Sequence, residues 1–226
     1  MPIRFTRVTL GRLFFQRCFY LFVALILLVI VATLITPTPK GRLALNGVNL
    51  FVVVAAVATL GHSLRSFILA LLLAAPALAF QWLALNTNQP AMFVGSWTFA
   101  AGLYLATLTY LLRYVFHRDV MTGDKLWGAA AAYLMLGVLW AYFYALVEHF
   151  QPLAFAVGGV PTDFDMPEFL YFSFTVLTST GFGDLSPVSR PARSLCVVEQ
   201  LVGVLFVSIL IARLAGVYPP LRRNGE

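Results

Sequence analysis

Six apolar runs, each close to the length that crosses a bilayer, constrain this chain more than anything else in it. They cover residues 18–35, 43–60, 67–85, 91–116, 126–150 and 192–218. A helix needs about 20 such residues to span the hydrocarbon layer. In lipid, every backbone polar group must find its partner inside the structure, which leaves little choice of fold. The breaks between runs are short and carry turn chemistry: Thr36-Pro37-Thr38-Pro39, Gly61-His62-Ser63 and Asn86-Thr87-Asn88-Gln89-Pro90. Short links make consecutive runs antiparallel neighbours. Composition agrees: 61% of the 226 residues are hydrophobic and 11% are charged, too little charge for a soluble domain of this size. The reading is an all-α integral membrane protein of six transmembrane helices, with almost no mass outside the bilayer. Cys18 and Cys196 both fall in apolar runs, so neither a disulfide framework nor a metal site follows from them. The first run lacks a small-residue cleavage pattern, so no removable leader is expected.

Charge sets the orientation. With both termini inside, the inner side receives Arg4, Arg7, Arg12, Arg17, Arg65, Arg113, Arg118, Lys125, Arg213, Arg222 and Arg223. The outer side receives only Lys40, Arg42, Arg190 and Arg193. That bias follows the positive-inside rule. It places the long segment 151–191 on the outer face. The basic residues before the first run are interleaved with Phe5, Leu10, Phe14 and Phe15, a pattern for an interfacial helix over residues 1–17. Nucleic-acid binding would need more than this basicity and is not expected.

The outer segment holds the most specific motif. Residues 178–184 read Thr-Ser-Thr-Gly-Phe-Gly-Asp, followed by Pro187 and then the last apolar run. A short amphipathic segment precedes them. Asp165 suits its N-cap, Pro167 its first turn, and Glu168 stands three residues after the cap. A helix from Met166 to Thr178 would be roughly 20 Å long, too short to span but long enough to enter halfway. Helix, glycine strip, acid and spanning helix together resemble the pore module of the potassium-channel superfamily. The resemblance runs from about Leu126 to Tyr218 and centres on the sequence Thr175 to Pro187. The whole chain looks like a bacterial-type six-span member, with a re-entrant pore helix and filter loop between helices five and six.

In that family, backbone carbonyls replace the hydration shell of the ion. Successive carbonyls can point one way only if backbone signs alternate, and glycine reaches positive φ without steric cost. Gly181 and Gly183 fit that need. The resemblance implies that the carbonyls of Thr180, Gly181 and Phe182 coordinate potassium, that Gly183 completes the outer mouth, and that the Ser179 hydroxyl helps form the innermost site. It implies that Asp184 hydrogen-bonds behind the filter, that Tyr171 and Phe172 brace it, and that Gly203 is a hinge in the inner helix. One wall per chain calls for several copies around a closed axis, and the resemblance, with its four filter loops, implies a homotetramer. Three departures stand out: Ser at 179, Thr at 180 and Phe at 182, where Thr, Val or Ile, and Tyr are more usual. They predict a filter that leaks or inactivates more readily.

Polar residues within the spans add further expectations. Glu199, about two turns into the last run, reads either as a brace or proton-sensitive group near Thr175 and Thr178, or as an acid paired with a base or water. Val204, Val207, Ile211 and Ala215 share one helical face, a cavity lining or a packing surface. Asn46, Asn49, His62 and Gln81 suit interhelical hydrogen bonds, Pro76 a kink, and the small residues 128–132 a close helix approach. The fourth run holds only Arg113, with Arg118 just beyond, so no conventional voltage sensor is expected. The organisation expected is a basic segment 1–17, a four-span unit 18–125, a pore domain 126–218 and a short cytoplasmic tail 219–226. The function expected is a passive potassium channel of the cell membrane, not an enzyme, without cofactor, whose partners are itself, membrane lipid and potassium ions. A weakly selective cation channel and a potassium-uptake transporter subunit are the alternatives. An intramembrane hydrolase fits poorly, because no Gly-x-Ser-Gly stretch exists.

Overall fold

The computed structural model describes residues 17–34, 39–60, 64–87, 89–117 and 122–217. The basic segment before Arg17, the turn residues 36–38 and 61–63 (His62 among them), the Asn46 side chain, and the tail 219–226 lie outside that description. Seven α-helices run in order: α1 (Arg17–Leu34), α2 (Pro39–Leu60), α3 (Leu64–Thr87), α4 (Pro90–Phe116), α5 (Gly123–Phe150), α6 (Met166–Leu177) and α7 (Arg190–Val217). Each long helix coincides with one of the six apolar runs, its ends within a few residues of the run's. Pro76 lies inside α3, and the helix continues through it.

Four of these helices are long and apolar enough to cross a membrane: α3, α4, α5 and α7. The expectation of six spans is therefore met only in part by length and composition. Among the described residues, the apolar stretches in α1 and α2, Cys18–Leu34 and Gly47–Thr59, are shorter.

The expectation of a wholly α-helical chain needs correction. Between α5 and α7 stand three short strands, β1 (Phe155–Val157), β2 (Val160–Pro161) and β3 (Leu185–Pro187). They form an antiparallel sheet in the order β2-β1-β3. The reason is local. Val157 pairs with Val160 across Gly158 and Gly159, whose φ values are 56° and 87°. A two-residue turn with both centres at positive φ matches strand twist, and glycine supplies it. β3 pairs with β1 directly after the glycine strip. The start of this segment is held by Glu148, whose carboxylate accepts the amides of Leu153 at 2.7 Å and Ala154 at 3.0 Å.

α5 is the spine. It packs against α1, α4, α6 and α7, and α3 lies against α4. Small residues make this possible: a Cβ on Gly128 would stand 3.3 Å from Cys18 Sγ and from Val115, so α1 and α4 both approach α5 there. Asn49, Gln81 and Tyr104 link α2, α3 and α4 through side-chain hydrogen bonds of 3.4 Å. Both cysteines are free thiols.

Candidate functional site

The site is built at the carboxyl end of α6. Asp165 caps this helix, and the Glu168 carboxylate accepts the Asp165 amide at 3.0 Å. Pro167 stands in the first turn, where its missing N–H costs nothing. The helix ends at Leu177 with Thr178 as its C-cap. Its last carbonyls do not go unused. Ser179 donates its amide to Val176 O at 2.9 Å, and Thr175 O accepts the amides of both Thr180 (2.9 Å) and Gly181 (3.2 Å).

Those bonds fix which way the strip faces. Every peptide here is trans, so each amide N–H and the carbonyl of the preceding residue point in opposite directions. The amides of Ser179, Thr180 and Gly181 point back at α6. The carbonyls of Thr178, Ser179 and Thr180 therefore point away from it. Backbone sign alternates along the strip: φ is 56° at Ser179, 54° at Gly181 and 81° at Gly183, whereas Thr180 and Phe182 are not at positive φ. Sequence reasoning identified the two glycines and missed Ser179. A serine in the left-handed region has no local sequence signature, and here the helix end imposes it: the Ser179 amide on Val176 O and the Thr180 amide on Thr175 O are the paired bonds of a Schellman turn, with Ser179 at its left-handed position.

The flanking side chains form two separate groups. On one side, the Tyr171 hydroxyl donates to Asp184 Oδ2 at 2.9 Å, and the Tyr171 ring lies parallel to that of Phe182 with centroids 6.5 Å apart. The Asp184 carbonyl accepts the Gly158 amide at 3.0 Å, which ties the strip to the small sheet. Thr178 and Thr180 hydroxyls meet at 2.8 Å. Phe172 is not with them. It is buried among Tyr144, Phe155 and Phe169, in the packing beneath the helix.

On the other side, α7 meets the back of α6. Glu199 is fully buried. Its partners are Ser173, at 2.5 Å, and the hydroxyl of Tyr144; Thr175 instead turns its hydroxyl to Phe172 O at 2.8 Å. One turn further along α7, a Cβ on Gly203 would collide with the carbonyl of Leu177. Packing alone thus requires glycine there, and α7 runs unbroken through it. The Tyr133 hydroxyl donates to the same carbonyl at 3.3 Å. Glu199, Gly203 and Phe206 are buried along one stripe of α7, while Val204, Val207 and Ile211 are exposed on the single chain.

Residues 129–218 match a family model described as an ion channel, a stretch that covers α6, the strip and α7 but less than half of the chain. The match supports an ion-channel pore module in this part of the protein, and with the long apolar helices it describes a membrane-embedded chain. No curated protein matches the chain.

Proposed function

We propose that this protein is a passive potassium-selective channel assembled from four identical chains, each contributing one wall of the pore. One observation carries the reading: the alternating backbone sign from Ser179 to Gly183, set at the end of a capped short helix, with amides pinned backward and carbonyls turned outward. A strip of that kind offers main-chain oxygens to a dehydrated cation. Repeated around an axis, it encloses one. The proposal assigns ion coordination to Ser179, Thr180, Gly181, Phe182 and Gly183. It assigns support to Asp184, Tyr171, Thr175 and Glu199, and the cavity wall to Val204, Val207 and Ile211.

The rest of the proposal follows from the membrane frame. All six long helices span, with both termini on the cytoplasmic side and α6 entering from the outer face. Gating does not come from a conventional voltage sensor, because α4 carries only Arg113 among its described residues. A moved charge contributes roughly 2.3 kcal/mol per 100 mV, so one arginine gives a shallow response at most.

A weakly selective cation channel is the second reading, and one feature favours it. Phe182 has no hydroxyl, and the neighbouring Tyr171 hydroxyl is spent on Asp184. The outer filter then lacks a lateral hydrogen bond through residue 182. Potassium flux from liposomes, blocked by barium, tests the channel itself; the absence of barium-sensitive flux in reconstituted protein sinks it. Bi-ionic reversal potentials with sodium and potassium separate the two readings.

A further inference from the structure

Counting protons around Glu199 gives a result that its burial alone does not. Four contacts surround the carboxyl group. Oε1 lies 2.5 Å from Ser173 Oγ, and Oε2 takes the Tyr144 hydroxyl. Ser173 Oγ also lies 2.7 Å from the carbonyl oxygen of Gly137. The Tyr144 hydroxyl also lies 3.4 Å from Cys196 Sγ.

A carbonyl only accepts, and a hydroxyl carries one proton. The hydrogen between Ser173 and Gly137 must therefore come from Ser173. Nothing is then left on Ser173 to give to Glu199, so the hydrogen in that contact must sit on the acid. Tyr144 gives its proton to Oε2, and the Cys196 thiol fills the fourth contact. With a neutral carboxylic acid there are four donors for four contacts. With a carboxylate there are three, and two oxygens face each other without a hydrogen between them.

The titratable groups around the acid are Tyr144 and Tyr133 on α5 and Cys196 on α7 itself; α6 presents the Ser173 hydroxyl. None of these is a cation, so a charge on Glu199 has no partner in a site with no access to solvent.

We propose that Glu199 is a positioning residue that works in its protonated form, its acid proton completing a hydrogen-bond chain from α7 through Ser173 of α6 to the Gly137 carbonyl of α5. The chain passes through the middle of α6. Two residues beyond Ser173 stands Thr175, whose carbonyl holds the amides of Thr180 and Gly181. The absent side chain at Gly137 lets α6 come this close, since a Cβ there would stand 2.7 Å from the Phe174 ring. Removing the proton breaks the contact between Ser173 and one neighbour, and α6 is then free to shift under the strip. The protonation state rests on this geometry alone; its effect on conduction rests on the channel reading.

The test pairs infrared spectroscopy with flux on the reconstituted full chain. At neutral pH the wild-type protein is expected to show the carbonyl band of a protonated, hydrogen-bonded carboxylic acid that is missing in Glu199→Gln. An amide keeps all four contacts, since its N–H donates to Ser173 and its oxygen accepts from Tyr144. Wild-type potassium flux is expected to fall by roughly tenfold on going to alkaline pH, the equivalent of one lost hydrogen bond. Glu199→Gln is expected to give a flat profile, whatever its absolute level. If the two proteins have the same carboxylic bands, the protonation is refuted. A real band difference with identical pH profiles refutes the positioning role. Wild-type protein with the band but no flux at any pH would instead refute the channel reading and leave the protonated acid standing. Should Glu199→Gln fail to fold, Ser173→Ala removes the acceptor of the acid proton, and the band is expected to move to the higher frequency of a free acid; an unmoved band counts against the proposal.

Discussion

At single residues, the decisive question is what stands opposite a missing atom. Gly203 faces the carbonyl of Leu177, and Gly137 faces the ring of Phe174. A backbone carbonyl at a helix end cannot step aside, whereas a ring can rotate. Gly203→Ala is therefore expected to cost about 1–3 kcal/mol of stability, the usual range for overpacking. Gly137→Ala is expected to cost clearly less, and thermal unfolding in detergent compares them. Equal losses would show that the rigid and the flexible neighbour do not differ. Tyr171 and Asp184 support a second prediction. Because they share one hydrogen bond, Tyr171→Phe, which removes the donor, and Asp184→Ala, which removes the acceptor, should reduce potassium flux or selectivity in the same direction, and the double variant should be little worse than either single one. Additive losses would mean that the two act independently. The sequence showed which residues crowd this strip but not their pairing. Glu199 could be placed near α6 from its position in the chain, yet its partners Ser173 and Tyr144 come from helices far apart in sequence, and no periodicity links them.

At the scale of elements, capping and turn chemistry account for what could be read in advance. α6 was legible because Asp165, Pro167 and Glu168 act within one helical turn of each other. The small sheet was equally local in origin, since Val157-Gly158-Gly159-Val160 is a hairpin signature, but strands of two or three residues leave no alternating pattern to notice. Ser179 is local in origin too, taking a glycine-like conformation because the amides that follow it fold back on Thr175 at the helix end, but serine is not the residue by which such a turn is recognised. The sheet matters to the strip through the bond from the Gly158 amide to the Asp184 carbonyl. Gly159→Val forces a β-branched residue to φ near 87°, at a cost of about 1–2 kcal/mol or more. Amide exchange is expected to accelerate across 155–161 and 185–187 and to stay unchanged in α5 and α7. Acceleration spread evenly over the helices would mean that the sheet is not a separable unit.

At the scale of the whole molecule, the link between α4 and α5 is short, from His117 to Thr122, and both α1 and α4 pack on α5. The first turn of α1 and the last turns of α4 meet at Asp124. One carboxylate oxygen accepts the Cys18 amide at 3.3 Å, in the first turn of α1, and the other accepts the Tyr114 hydroxyl of α4 at 2.9 Å. A carboxylate at a helix N-terminus is favourably placed for both the free amides and the helix dipole. Beside this node, Arg213 near the carboxyl end of α7 donates from Nη2 to the His117 carbonyl at 2.7 Å, and His117 is the C-cap of α4. α4 thus holds the start of α5 and the end of α7 together. A cation at a helix C-terminus contributes roughly 0.5–2 kcal/mol, which corresponds to about a two- to thirtyfold change in the balance between two positions of α7. Arg213→Gln removes that charge away from the strip, whose near end, at Leu177, meets α7 at Gly203, ten residues before Arg213. Single-channel recording is expected to show open probability altered within that range while the sodium–potassium reversal potential stays at its wild-type value. A shifted reversal potential with unchanged open probability would mean that the inner junction acts on the filter and not on the position of α7.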